Sequence, residues 1–191
     1  MGKNRLEAFS DGVIAILITI MVLELKIPHG DTMAALGELF PTLMSYFLSF
    51  AYLGIYWNNH HHLLHTARYV NGPILWANLH LLLWLSLVPF ATAWMGENHF
   101  TTTPVAVYGV VLLMAGIGYY VLCRALIARH GPDSTLARAV GLDWKGLASL
   151  ATYAVAIGLA FVNRWIAVAL YALVAVMWLI PDRRIERMLG D

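Results

Sequence analysis

Charge is scarce in this sequence, and that scarcity identifies the solvent. Asp, Glu, Lys and Arg make up 12% of the 191 residues, and 60% are hydrophobic, whereas a soluble domain carries about 25% charged residues. With mean hydropathy at +0.69, such a chain cannot cover a water-facing surface, so a lipid bilayer is its partner. Cys123 is the single cysteine, which excludes an intrachain disulfide and a dithiol redox pair. Neither sign of charge dominates. Twelve basic residues against eleven acidic ones give +1, which argues against a nucleic-acid partner. No phosphate loop, dinucleotide fingerprint or nucleophile–base pair is present, so neither an enzyme nor a cofactor is expected. The opening stretch, Met1 to Arg5, leads into a segment holding Asp11 and Glu24 without a small-residue cleavage site, and no signal peptide is read.

What the chain has in abundance is long charge-free runs. A membrane-spanning helix needs about 20 apolar residues, and in lipid each run must satisfy its own backbone hydrogen bonds as a helix. Six spans are predicted in one all-α unit covering 1–191, at 6–27, 39–65, 71–96, 104–126, 146–163 and 165–181. The first is unusual, because it reaches spanning length only by enclosing Asp11 and Glu24. Charged residues inside a span are costly and turn toward protein or water. If both termini are cytoplasmic, all the Lys and Arg residues except Lys26 and Arg164 fall on the inner side, as the positive-inside rule requires. The polar segment Arg124 to Lys145, with Gly131-Pro132-Asp133, is then a cytoplasmic loop.

On a helical wheel, Gly12, Ile16, Thr19, Ile20, Leu23 and Ile27 fall on one face at about 100° per residue. Ser10 and Asp11 point elsewhere, and Ile14 and Ile18, half a wheel away, are expected to face lipid. The stripe is open to two readings: ordinary packing or lipid contact, and, in a symmetric oligomer, a hydrophobic pore constriction. Periodicity does not separate them.

The residues Arg5-Leu-Glu-Ala-Phe9-Ser10-Asp11-Gly12, followed by Ile18 through Pro28, resemble the opening helix of the transmembrane protein 175 family of potassium channels. Arg5, Phe9, Ser10 and Asp11 carry the fingerprint, and Tyr56-Trp57-Asn58-Asn59-His60-His61, Asn78 and Leu87-Val-Pro89-Phe90 are similar to later family segments. The resemblance implies a homotetramer in a prokaryotic cell membrane with the first helix of each subunit lining the pore. It implies a constriction at Ile16, Ile20 and Leu23 with a threonine ring at Thr19, permeant K+ and no metal cofactor. It makes Arg5, Phe9, Ser10, Asp11, Trp57, His60 and His61 a structural motif rather than ion ligands. Glu24 is a candidate for the outer mouth, or a surface residue paired with Lys26.

His60-His61-His62-Leu-Leu-His65 resembles one box of a membrane di-iron enzyme, but such enzymes need several boxes converging on the metals, and the remaining histidines are scattered. A secondary transporter would show repeats or broken mid-membrane helices; Pro89 alone reads as a kink. A proton-permeable or weakly selective cation channel is the nearest alternative.

Overall fold

The computed structural model describes residues 2–131, 134, 136–137 and 143–179. The predictions that fall on Pro132, Asp133, Arg138, the end of the sixth span and Arg183, Arg184 and Arg187 lie outside these residues. All regular structure among the described residues is helical: α1 (Lys3–Met21) with a 3-10 turn (Val22–Glu24), α2 (Met33–Glu38), α3 (Phe40–His65), α4 (Gly72–Ser86), α5 (Val88–Glu97), α6 (Thr102–His130), α7 (Trp144–Ala160) and α8 (Arg164–Leu179).

By length and composition, the stretches 3–24, 72–97 and 102–130 suffice to cross a membrane, while α7 and α8 are shorter apolar helices. The helix starts follow local chemistry. Asn71 Oδ1 accepts the Ile74 amide at the head of α4, Asp143 Oδ1 accepts the Gly146 amide at the head of α7, and Thr32 caps α2 in the same way. Each satisfies an amide that the first turn leaves without a helical partner.

Two expected spans need correction. The first was drawn to Ile27, but its helix ends with the turn at Glu24, and Leu25 is extended at ψ 102°. Pro28 explains this. It disfavours helical backbone at Ile27 and has no N–H for the Glu24 carbonyl. The third span is divided between α4 and α5 at Leu87, because Pro89 cannot donate to the Leu85 carbonyl and its ring crowds that oxygen. The short helix α2 is an addition, lying in a stretch drawn as a connection. The fourth span, drawn as 104–126, extends at both ends to 102–130.

The centre of the bundle is α6, packed against α4, α5, α7 and α8. Close approach there depends on small residues, as expected in lipid where packing rather than hydrophobicity joins helices. At Gly118 a Cβ would stand 2.9 Å from the Leu81 Cα of α4. The helix α1 lies to one side, touching α3, α4 and α5. Its inner edge is Leu6, Ser10, Ile14, Leu17 and Met21, spaced three or four residues apart, so a single face is buried. It is also the least covered of the three stretches long enough to cross a membrane: 28% of its apolar window is buried, against 50% in both 72–97 and 102–130.

Candidate functional site

The uncovered face of α1 carries the predicted stripe. Ile16 is 59% exposed, Ile20 38% and Leu23 78%, and Thr19 and Gly12 lie on the same open side. The Thr19 hydroxyl donates to the Ile16 carbonyl at 2.9 Å. With its proton engaged in the helix, the oxygen presents only lone pairs outward, the polarity a cation requires. Ile14 contradicts its expected lipid contact: it is 0% exposed, and Ile18 is half-buried against the core. The side of α1 opposite the stripe faces α3, α4 and α5, not lipid.

Ser10 is what anchors that covered side. It is fully buried, and its hydroxyl donates to the Leu6 carbonyl at 2.9 Å. Asn78 of α4 donates its amide hydrogen to Ser10 Oγ at 2.9 Å, and its carbonyl oxygen lies 2.7 Å from His60 Nε2. An amide oxygen only accepts, so His60 carries its proton on Nε2. The result is a buried chain of hydrogen bonds running from α3 through α4 into α1. One residue on, Asp11 is half-buried and accepts the Trp57 indole hydrogen at 3.1 Å. His61 stacks beside Trp57, ring centroids 6.3 Å apart.

The structure therefore brings Ser10, Asp11, Trp57, His60 and His61 to one junction. Phe9, 48% exposed, and Arg5, exposed, stand outside it, and the Arg5 side chain makes no hydrogen bond or ion pair among the described residues. At the other end of α1, Lys26 pairs with Glu97 at the end of α5, 2.5 Å away, not with Glu24. That hydrogen bond first, and the Glu97 charge second, raise the Lys26 ammonium above its ordinary range. Glu24 is exposed beside them in an open cleft that also includes Glu38, Thr42 and His99. Among the described residues no three His, Cys, Asp or Glu side chains are placed to hold a metal ion.

Sequence reasoning missed two parts of this. Asn78 drew notice only as a resemblance, although a lone amide inside the apolar run Ile74 to Leu85 signals a buried partner. The second polar cluster was not anticipated. Ser49 of α3 meets Thr92 of α5 at 2.6 Å and Tyr108 of α6 at 2.9 Å. Single hydroxyls on separate helices leave no pattern along the chain.

The family described as endosomal/lysosomal potassium channel TMEM175 matches residues 5–89, the segment that holds α1 and this junction. A potassium channel of Chryseobacterium sp. (strain P1-3) is 53% identical over the whole of both chains. The chain belongs to the TMEM175 family. A second relative, a potassium channel of Streptomyces collinus, is 33% identical over 92% of this chain and 91% of its own. The fold agrees as well. The crystal structure of a lysosomal potassium-selective channel TMEM175 homolog from Chamaesiphon minutus superposes with TM-score 0.82 at 28% identity, covering 93% of this chain and 96% of that one. As a TMEM175 member the chain is a multi-pass membrane protein of an ion-channel family with prokaryotic relatives, not an enzyme.

Proposed function

We propose that this chain conducts potassium through a pore that four copies of α1 enclose, with both termini on the cytoplasmic side. The observation that carries this is the two-sidedness of α1. One face is tied into the protomer by Ser10 and Asp11, and the other leaves Ile16, Thr19, Ile20 and Leu23 open. One helix cannot surround a pore, whereas a closed cyclic ring places the same open face at its axis four times.

From Ile16 to Leu23 the constriction extends about 10 Å at 1.5 Å per residue. Branched carbons there penalise ions that keep a tight water shell. The four Thr19 oxygens, turned outward as acceptors, replace part of the shell that potassium loses more readily than sodium. Glu24, with Lys26 drawn off to Glu97, leaves negative charge at the outer mouth that concentrates cations. The inner side is assigned from the Lys and Arg bias.

The test is a reversal potential, measured on the purified protein in a planar bilayer under opposed potassium and sodium gradients. A reversal near the potassium equilibrium potential supports the reading. A reversal that follows an imposed pH gradient instead would establish the proton-permeable alternative, and native mass spectrometry returning anything but four protomers would end the ring.

A further inference from the structure

At the end of α6, His130 sits in an arrangement that the conduction path does not use. Its Nε2 accepts two backbone hydrogens, from Arg68 at 3.0 Å and Tyr69 at 3.2 Å. Both belong to the turn joining α3 to α4. Its Nδ1 lies 2.9 Å from the Leu126 carbonyl. A carbonyl only accepts and a backbone N–H only donates, so the hydrogen-bonding pattern admits a single protonation state: hydrogen on Nδ1, a bare lone pair on Nε2. The imidazole ring lies nearly parallel to the Tyr69 ring, interplanar angle 13°, and Arg129 reaches over the same tyrosine at 5.9 Å. The junction also holds the start of α1. Lys3 Nζ donates to the His65 carbonyl, the last residue of α3, at 3.1 Å and pairs with Glu7 at 3.7 Å.

We propose that His130 is a proton-released clamp, holding the α3–α4 turn onto the end of α6 while neutral and letting it go when protonated. A proton arriving on Nε2 occupies the lone pair that both amides share. It removes two hydrogen bonds at once and sets an N–H against two N–H groups. Histidine is the side chain most used as a switch between a neutral and a charged form. Among the described residues, the charged and titratable neighbours are Arg68 and Tyr69 in the turn, Arg129 on α6, and Lys3, Glu7 and His65 across the junction. The arginines oppose a further positive charge, and the Tyr69 ring face offsets part of that opposition. Because Lys3 holds the carbonyl of His65, loosening the turn also loosens the foot of α1.

The experiment is hydrogen exchange on the full chain in nanodiscs, following peptides that contain residues 66–71, corrected for intrinsic rates, at about pH 7.5 and about pH 5.5 on either side of the imidazole range. Wild type should show at least a tenfold loss of protection in the turn at the lower pH, with α6 residues 105–115 as the unchanged reference. His130→Gln supplies an uncharged acceptor and should abolish the pH response. His130→Phe keeps the ring and removes the acceptor, so its turn should exchange fast at both values. For a wild-type readout that needs no variant to fold, ¹⁵N-histidine spectra at neutral pH should contain one ring protonated on Nδ1 with Nε2 bare, which converts to the doubly protonated form as the turn loses protection. A wild-type turn equally protected at both values, a His130→Gln chain with the wild-type response, or spectra lacking the Nδ1–H form would each overturn the proposal.

Discussion

Asn78 of α4 and Ser10 of α1 are joined by a hydrogen bond of 2.9 Å between two fully buried side chains. The other end of the same amide meets His60. In lipid, helices gain nothing from hiding apolar surface that lipid tails would cover equally well, so directional contacts of this kind select the rotation of α1 about its axis. Turning the helix away would leave the Asn78 amide hydrogen without its partner in a medium that supplies none.

Asn78→Leu should therefore destabilise the protomer by about 1–3 kcal/mol, the cost of leaving the His60 N–H buried and unpaired. Ser10→Ala removes two neutral bonds, one to the Leu6 carbonyl and one from the Asn78 amide, and should cost about 0.6 kcal/mol for each, with about 1.7 as the upper end for such bonds in membranes. Thermal melting in detergent reads both. The Ser10→Ala, Asn78→Leu double variant should fall short of the sum of the single effects, as contacting residues do. Strict additivity would mean that the two side chains do not interact.

Asp11 should act as an acceptor for Trp57 more than as a charge. Asp11→Asn retains an oxygen that can accept the indole hydrogen, so its assembly and yield should stay near wild type. Asp11→Ala should lower both while leaving the potassium-to-sodium permeability ratio within about twofold, since a hydrogen bond of this kind contributes on the order of 1 kcal/mol. Size-exclusion profiles and bilayer recordings separate the outcomes. A normal tetramer with altered selectivity in Asp11→Ala would move this residue into the ion path.

Thr19→Val preserves side-chain volume and deletes the outward-facing oxygen. Potassium preference should fall several-fold with little change in conductance, because in the proposed fourfold ring each lost oxygen contact recurs four times at one height. Ile16→Asn and Leu23→Ala should raise conductance and admit sodium. Ile14 is no lipid-facing control. Ile14→Val should instead lower the melting point, costing about 0.5–1.5 kcal/mol as buried Ile→Val changes do. Val110→Ala and Leu173→Ala, exposed on α6 and α8, serve as controls, and permeation changes there with silence at Ile16 and Leu23 would show that ions pass elsewhere.

Salt should expose the role of Glu24. Glu24→Gln should reduce single-channel potassium conductance at about 0.01 M salt, where charges act over about 30 Å, and match wild type at about 1 M, where they act over about 3 Å. Lys26→Gln should do less, its charge being shared with Glu97. Equal loss at both salt levels would mean that Glu24 shapes the mouth sterically.

Much of this architecture was legible along the chain, and the reasons are physical. Composition required lipid, and the charge-free runs located the helices, because each backbone segment in a bilayer must close its own hydrogen bonds. The fingerprint Arg5, Phe9, Ser10 and Asp11 pointed to the family, and the wheel grouped Ile16, Thr19, Ile20 and Leu23 on one face. Prolines mark the breaks, but each acts ahead of its own position: Pro28 ends the first helix at Glu24 and Pro89 divides α4 from α5 at Leu87, both through the missing N–H.

Tertiary packing alone decided the rest. Apolar residues surround α1, so the pattern could not tell its protein side from its lipid side. The buried partners of Ser10 settled that Ile14 faces inward. The sequence placed Lys26 two residues from Glu24, yet the end of α5 brings Glu97 closer. Likewise, His130 meets the amides of Arg68 and Tyr69 across more than sixty residues of chain. Periodicity reports only neighbours along one helix, whereas these contacts depend on where two helix ends arrive in space.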